Sequence, residues 1–190
     1  MNVIRTRPAG RRPRQAAEAA QATVAESVSS PELRELIARM PLWRRPGYLV
    51  RRLHQLHNAL FFSECEGFDI TPVQYGVLTT LSLLPGSDQN TLAQEVGLDR
   101  TNVADVLVRL ERRGLVRRQR GEADRRTVLA WLTADGEALL KAMYAVMRRS
   151  QERLLAPLAP AEREQFLGML LRLIDAHNQH GRAALGRAAE

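Results

Sequence analysis

The stretch that decides the fold is Ser87–Thr133, SDQNTLAQEVGLDRTNVADVLVRLERRGLVRRQRGEADRRTVLAWLT. Within it, Asp88 to Val96 is predicted to form a short helix, which the tight turn Gly97-Leu98-Asp99 ends. A second helix is predicted from Arg100 to Arg113. Its boundaries follow from capping, because the Asp99 carboxylate can accept from orphan backbone N–H groups and Gly114 can adopt the left-handed conformation that closes a helix. The stretch therefore begins with two short helices joined by a tight turn.

The second of these helices has one apolar and one polar face. Apolar residues recur at helical spacing and predict a buried stripe of Val103, Val106, Leu107 and Leu110. The opposite face is polar and consists of Arg100, Thr101, Asn102, Asp105, Arg109 and Arg112. The N-terminal residues of such a face are those that a recognition helix directs into the major groove. Arginine and asparagine suit that task, because they can make bidentate hydrogen bonds to guanine and adenine, respectively.

A basic β-ribbon is predicted after the second helix. Leu115 to Gln119 and Thr127 to Leu132 are apolar and β-branched enough for strands, and Gly121 to Arg126 supplies the turn. A narrow minor groove concentrates negative potential, and the arginines predicted to contact it from the tip are Arg120, Arg125 and Arg126. Asp124 is expected to hold one of them in a fixed rotamer. The simpler alternative is a solvated hairpin tip. Helix, turn, helix and ribbon together predict a winged helix-turn-helix that binds DNA.

From about Leu49 to about Ala176 the chain resembles the multiple antibiotic resistance regulator (MarR) family. The motifs that carry the resemblance occur in the family's order; they are TPVQY at Thr71–Tyr75, Leu92-Ala93, VRLERRGLV at Val108–Val116, Asp124-Arg125-Arg126, and LTADG at Leu132–Gly136. The resemblance implies a homodimer that represses transcription by binding a short DNA palindrome. It also implies that the dimer releases the DNA when a small molecule, often a phenolic or aromatic acid, enters a pocket. It also suggests the subgroup that controls aromatic-acid degradation. By position, Asp124 and Arg126 match the family's wing pair, and its recognition helix carries Thr101, Asn102, Asp105 and Arg109.

Long apolar helices are predicted on both sides of the winged helix-turn-helix. The first repeats Leu49, Leu53, Leu56 and Leu60, and the last repeats Phe166, Met169, Leu170, Leu173 and Ile174. Because no isolated helix could bury such stripes, both ends are expected to form a two-fold dimer. The predicted fold is mainly α with a small β-wing. Its segments are a mobile basic extension at 1–30, a short helix and the first dimerisation helix at 31–70, the DNA-binding domain at 71–133, the C-terminal dimerisation helices at 134–180 and a tail at 181–190.

Local signals place two further helix starts. Ser30 before Pro31 predicts a short helix that runs to Arg39, because serine caps well and proline is favoured at the first helical position. Thr71 and Gln74 have the spacing of a capping box, in which each side chain accepts from the backbone N–H of the other residue. The second core helix should therefore begin directly after Thr71.

The resemblance also implies an effector pocket, where the helix after Thr71, the first apolar helix and a long helix predicted from Asp135 to Leu155 meet. Its candidate residues combine apolar walls with groups that hold a carboxylate or phenol; they are Arg51, His54, His57, Tyr75, Met143, Tyr144 and Met147. A guanidinium or imidazolium would favour an acidic effector such as a hydroxybenzoate, hydroxycinnamate or nicotinate derivative. The alternative for each residue is an ordinary place in the core or on the surface.

Composition bounds the function. The 190 residues are 45% hydrophobic, enough for one core with an extension, and their formal net charge of +7 favours contact with polyanions. No apolar run approaches the ~20 residues of a membrane-spanning helix, so a soluble, cytoplasmic protein without a membrane partner is expected. The sequence lacks a Gly-rich phosphate loop, a Gly-x-Ser-x-Gly elbow and a His-Glu-x-x-His motif, so neither an enzyme nor a cofactor is predicted.

Other sensing and binding roles are alternatives. His54 with His57, and His177 with His180, each share a helix face within reach of a metal, but no cysteine or carboxylate cluster joins them, and no metal site is predicted. Cys65 is the only cysteine, and its acidic neighbours are expected to raise the pKa of its thiol, which argues against redox sensing. A nonspecific architectural DNA-binding protein and a regulator without an effector complete the alternatives.

Overall fold

The structure is a computed structural model that describes residues 30–121 and 125–180. The predicted basic extension before Ser30, the wing residue Asp124 and the predicted tail at 181–190 lie outside the described residues. The chain divides into two compact units, residues 1–51 and residues 52–190, and the boundary falls within one helix. The segment boundaries predicted at residues 70 and 133 stay predictions.

The described part of the first unit is short and helical. Helix α1 spans Pro31–Arg39, and a 3-10 helix spans Leu42–Arg44. The Ser30 side chain accepts a hydrogen bond from the Leu33 backbone N–H at 3.2 Å, so the predicted cap of α1 is confirmed. None of the residues of α1 is buried. Helix α2, Pro46–Glu64, begins in this unit and continues into the second.

The second unit contains the winged helix-turn-helix. After α2 come helix α3 (Pro72–Leu83), strand β1 (Ser87–Asp88), helix α4 (Gln89–Val96), helix α5 (Arg100–Arg112), strands β2 (Val116–Arg120) and β3 (Val128–Leu132), helix α6 (Ala134–Leu155), helix α7 (Pro160–His177) and a 3-10 turn (Asn178–His180). Helices with one small antiparallel sheet, in this order along the chain, confirm the predicted fold class.

The helix ends follow the capping signals. Thr71 accepts from the Gln74 backbone N–H at 3.2 Å, and the Gln74 side chain accepts from the Thr71 N–H at 3.0 Å, which completes the capping box of α3. Asp99 caps α5 by accepting from the Asn102 N–H at 2.9 Å. Gly97 and Gly114 have φ values of 71° and 70°, the left-handed conformation that ends α4 and α5. All three predictions are confirmed.

The core of the second unit forms around α3. Val77, Leu78 and Leu81 of this helix are at most 1% exposed, and they pack in one cluster with Phe61 of α2 and Met143 of α6. Close packing of this kind transmits displacement, because an interior at crystal-like density has few voids to absorb it. Helix α3 therefore connects α2 and α6 through one packed core.

The three strands form an antiparallel sheet in the order β1-β3-β2. Strands β2 and β3 make the predicted ribbon, in which Arg118 lies opposite Ala130. Strand β1 was not predicted, because two residues are too few to produce an alternating pattern. It pairs with β3 through Ser87 opposite Ala130 and Asp88 opposite Leu129. Asp88 is therefore both a strand residue and the N-cap of α4. The helix begins at Gln89, one residue later than the sequence predicts.

Charged side chains attach the end of α2 to α6 and the turn that follows α2 to α5. Glu64 accepts from Arg153 at 2.5 Å and from Arg149 at 3.2 Å, and these hydrogen bonds, that of Arg153 first, lower the pKa of the Glu64 carboxyl. Arg113, at the end of α5, donates to the backbone carbonyls of Phe68 and Asp69 in the turn between α2 and α3. The turn that follows α2 is thus fixed to α5 while the end of α2 is fixed to α6.

Candidate DNA-binding surface

Helix α5 turns its apolar stripe inward. Val103, Leu107 and Leu110 are fully buried, and Val106 is half-buried. All residues of the predicted polar face are exposed; they are Arg100, Thr101, Asn102, Asp105, Arg109 and Arg112. The burial of one face leaves the other free to contact a macromolecule, as the periodicity of the sequence indicates.

The first turn of α5 holds one of these side chains in a defined orientation. Asp99 accepts from the Asn102 backbone N–H with one carboxylate oxygen and from the Asn102 side-chain amide, at 2.8 Å, with the other. The amide of Asn102 keeps a second N–H and its oxygen for a further partner. One donor and one acceptor are what an adenine edge requires in the major groove. The cap thus presents Asn102 in a form that can contact a base.

The ribbon is fixed to α5 by an ion pair. Arg118 of β2 donates from Nε to the Oε2 atom of Glu111 at 2.8 Å, and a second guanidinium N–H contacts the same oxygen. The neighbouring Arg117 lies on the other face of the sheet, where its guanidinium carbon is 4.3 Å from the centroid of the Trp131 ring. Alternation along β2 therefore directs one arginine to the helix and the next to an aromatic surface.

The wing carries exposed arginines beside its tip. Arg120 is the last residue of β2, and Arg125 and Arg126 precede β3. The Gly121 N–H donates to the Thr127 carbonyl at 2.9 Å and closes the ribbon at this end. The predicted ion pair between Asp124 and a wing arginine stays a prediction, because Asp124 lies outside the described residues. The three predicted wing arginines are therefore exposed near one end of the ribbon, and their contact with a minor groove stays a prediction.

Arg109 is placed differently from the N-terminal members of the polar face. With Arg112 and Arg113 it lines a cavity of about 470 Å³, whose other walls include Phe62 and Ile70. Within the described residues, the lining of this cavity includes none of the seven predicted effector residues. Glu66 and Asp69 also line the cavity, so guanidinium groups, carboxylates and apolar side chains share its walls.

The predicted effector residues of the second unit lie in different surroundings. Met143 is fully buried in the core, and the Sδ atom of Met147 is 3.7 Å from the Sγ atom of Cys65. Tyr144 is 67% exposed. The rings of Tyr75 and Phe61 pack edge to face. Tyr75 also lines a groove of about 430 Å³ between α3 and α4. Among the described residues, no other predicted effector residue lines this groove. Their common role as a pocket stays a prediction.

The basic candidates lie along α2. In the first unit, the guanidinium carbon of Arg51 is 5.4 Å from the centroid of the Tyr48 ring. In the second unit, the rings of His54 and His57 have centroids 6.4 Å apart. Burial, followed by repulsion from His54, lowers the pKa of the His57 imidazole below its ordinary value of 6.5. His57 is therefore neutral at pH 7 and offers a hydrogen-bonding ring rather than a cation.

The alternative metal and redox sites have little structural support among the described residues. Residues 30–121 and 125–180 contain no group of three or more His, Cys, Asp or Glu side chains that could hold a metal ion. Cys65 is 4% exposed, and burial, followed by the charge of Glu64, raises the pKa of its thiol. A buried thiol with a raised pKa carries little of the reactive thiolate at neutral pH. Among the described helices, none is both long and apolar enough to span a membrane.

Sequence reasoning missed the charged groups that attach these elements to one another. Glu111 and Arg118 are seven residues apart and belong to different elements, so no spacing rule connects them. The alternation of β2 was the available signal, because Arg118 shares its face with the buried Val116. Arg113 was predicted only as the end of a helix. Its carbonyl partners lie 44 and 45 residues earlier, beyond the reach of any local motif.

A capped helix-turn-helix with an exposed polar second helix, joined to a basic antiparallel ribbon, defines the DNA-binding winged helix-turn-helix class. The MarR family model matches residues 70–128. The chain is 33% identical to the transcriptional regulator HosA of Escherichia coli O111:H- over 137 residues, which are 72% of this chain and all of HosA. The chain belongs to the MarR family of transcriptional regulators, and the resemblance noted in the sequence is confirmed.

Solved structures of the same fold include regulators captured with their partners. The PcaV regulator of Streptomyces coelicolor, in complex with its natural ligand, is 38% identical, with a TM-score of 0.68 over 72% of this chain and 96% of PcaV. BpsR of Bordetella bronchiseptica, whose DNA binding 6-hydroxynicotinic acid regulates, is 31% identical, with a TM-score of 0.65 over 68% of this chain and 98% of BpsR. The repressor CouR, bound to a 23-mer DNA duplex, is 30% identical, with a TM-score of 0.64 over 77% of this chain and 98% of CouR.

Proposed function

We propose that this protein is a homodimeric repressor that binds an inverted-repeat operator and releases it when a small aromatic acid binds. The observation that carries the proposal is the exposed first turn of α5, where Arg100, Thr101 and Asn102 project from a helix fixed by its cap and its buried stripe. Side chains of these types hydrogen-bond to base edges and phosphates. An operator on chromosomal DNA implies action in the cytoplasm.

Exposed apolar side chains support the dimer. No residue of α7 is buried within one chain. Five of its large apolar side chains are 41–57% exposed; they are Leu167, Met169, Leu171, Leu173 and Ile174. Burial of apolar surface is worth roughly 25 cal/mol per Å², and monomeric proteins rarely leave a large contiguous patch in water. A second copy of the chain that covers this helix would form a symmetric pair with two copies of α5.

The proposed effector is an aromatic acid. The regulation of BpsR by 6-hydroxynicotinic acid and the ligand-bound form of PcaV support an effector of small size. In the second unit of this chain, His54, His57 and Tyr75 are the proposed polar contacts, since imidazoles and a phenol can hydrogen-bond to a carboxylate or hydroxyl group. An effector acts as a switch only if it binds the DNA-free arrangement more tightly than the DNA-bound one.

A nonspecific architectural role is the second candidate, and the net charge of +7 favours it. Neutralisation of phosphates by arginine releases counterions and drives binding to any duplex. The two roles differ in selectivity. An architectural protein binds most duplexes with an affinity set by salt, whereas a repressor prefers its operator by about 10³-fold or more.

We expect the purified protein to shift the DNA upstream of its own gene in an electrophoretic assay, with random duplex in excess as competitor. One member of a panel of hydroxybenzoates, hydroxycinnamates and hydroxynicotinates should release the complex. The corresponding hydroxybenzyl alcohol, which keeps the ring hydroxyl and lacks the carboxylate, is the matched control and should not. Equal competition by random duplex would overturn the operator proposal and favour the architectural role. A selective complex that no acid releases would overturn the effector proposal alone.

A further inference from the structure

Asp88 lies where three elements of the winged helix-turn-helix meet. As a residue of β1 it pairs with Leu129 of the wing strand β3. As the N-cap of α4 it accepts from the Thr91 backbone N–H with its Oδ1 atom at 2.8 Å. The third element is α5, because the Asp88 carboxylate lies within the electrostatic reach of Arg100, the first residue of that helix.

The surroundings of Asp88 bring arginines of two DNA-facing elements to one place. A cleft of about 30 Å³ is lined by Asp88, Gln89 and Asn90 on the side of α4, by Arg100 of α5, and by Arg126 and Thr127 beside the wing strand. This volume admits about one water molecule and is too small for an effector. A role in positioning the side chains that line the cleft fits its size better than a role in binding a ligand.

The capping of α4 alone does not explain a charged residue here. Asparagine caps helices about as well as aspartate, because either side chain offers an oxygen to the orphan N–H groups. The hydrogen bond from the Thr91 backbone, and to a smaller extent the charge of Arg100, lower the pKa of the Asp88 carboxyl, so it is ionised at neutral pH. A carboxylate this close to a DNA surface repels phosphates, and that cost needs a compensating gain.

We propose that Asp88 is a positioning residue that holds Arg100 of the recognition helix in one arrangement before DNA binds. The inference rests on the proposed operator function. A preorganised arginine loses less side-chain entropy when it meets a matching sequence. Random DNA gains less from the arrangement, because it does not match it. Asp88 therefore contributes to selectivity, while its negative charge slightly weakens binding to DNA of any sequence.

The test is Asp88→Asn, which keeps the cap and removes the charge. Dissociation constants would be measured by fluorescence anisotropy for the upstream DNA and for a random duplex at one salt concentration. We expect the ratio of the two constants to fall about tenfold, with binding to random duplex unchanged or tighter. Asp135→Asn is the matched control, because Asp135 is an exposed residue in the first turn of α6 and its replacement changes the net charge equally. Its selectivity should equal that of the wild type.

A double substitution separates positioning from general electrostatics. In a background of Arg100→Gln, the Asp88→Asn change should lose at least half of its effect on selectivity, because the arginine that Asp88 positions is absent. An unchanged melting temperature verifies that α4 remains capped, and Asp88→Ser supplies a second capping variant. Unchanged selectivity in Asp88→Asn, or equal tightening on both duplexes, would overturn the inference. A wild-type protein without selectivity would instead overturn the proposed function on which it rests.

Discussion

Replacement of Gly136 by alanine is expected to lower the free energy of unfolding by about 3 kcal/mol and the melting temperature by about 10 °C. A Cβ atom at this position would overlap the carbonyl oxygen of Leu115 and lie 3.1 Å from its carbonyl carbon. The obstructing atoms are backbone, so no rotamer change relieves the overlap. Either the start of α6 or the start of the ribbon must move.

The contact between Gly136 and Leu115 is also part of a hydrogen-bonded junction. Thr133 donates from its backbone N–H to the Leu115 carbonyl at 3.1 Å and from its hydroxyl to the Gly114 carbonyl at 2.6 Å, and it caps α6 by accepting from the Gly136 N–H at 3.1 Å. A displacement of α6 would strain these bonds together. The glycine in the LTADG motif therefore has a steric reason, which is close approach of the helix to the ribbon.

Gly76→Ala is the matched control for this prediction. Gly76 lies inside α3, and a Cβ there would meet the Val96 Cγ1 atom at 3.4 Å, an ordinary contact. Alanine is favoured over glycine within a helix by about 1 kcal/mol, so this variant should be neutral or slightly more stable. Urea unfolding followed by circular dichroism measures both. If Gly136→Ala cost no more than Gly76→Ala, the described packing of α6 against the ribbon would be wrong.

Replacement of Asn102 by alanine is expected to reduce discrimination at one base pair of each half-site by about 1–3 kcal/mol, or roughly 5- to 150-fold. The side-chain amide that Asp99 holds would be lost. The backbone N–H of residue 102 would still donate to the Asp99 carboxylate, so α5 keeps its cap and should remain folded. Binding to random duplex should change little. Fluorescence anisotropy on operator duplexes with single base-pair substitutions measures the loss of preference.

Arg126→Ala is the comparison variant, because a wing arginine at a minor groove reads charge and groove width more than base identity. It should weaken operator and random duplex by similar factors and reduce the slope of log K against log salt by about one. The two substitutions thus predict different patterns. An equal loss on both duplexes for Asn102→Ala, or an unchanged salt slope for Arg126→Ala, would contradict the roles given to these residues.

Sequence signals located the parts of the fold that local chemistry determines. The capping box of α3, the Asp99 cap and the left-handed Gly114 each depend on residues a few positions apart, and each appears at its predicted place. Strand β1 could not be predicted from the sequence, because its two residues form a strand only by pairing with β3. The 3-10 helix Leu42–Arg44 also lacked a signal, since one short turn has no periodicity.

For the candidate site too, the sequence predicted which residues are exposed but not which residues of different elements contact one another. Helical periodicity separated the buried from the exposed face of α5, so the exposure of Asn102 follows from the sequence. The same periodicity cannot distinguish a core position from a pocket wall. Met143 satisfies both patterns, and the structure places it in the core. Positioning contacts such as Glu111 with Arg118 join different elements, and only the folded chain brings them together.

The most direct test of the account is the dependence of binding on the spacing of the two half-sites. Footprinting on the upstream DNA would define the inverted repeat, and duplexes would then be made with 5 base pairs inserted at its centre. A two-fold dimer needs half-sites about one DNA turn, roughly 10 base pairs, apart, so we expect one dimer per native duplex and about 100-fold weaker binding after the insertion. An equal-length duplex with 5 base pairs added outside the repeat should bind normally. Equal affinity for the native and inserted repeats would contradict a dimer that binds DNA through paired recognition helices.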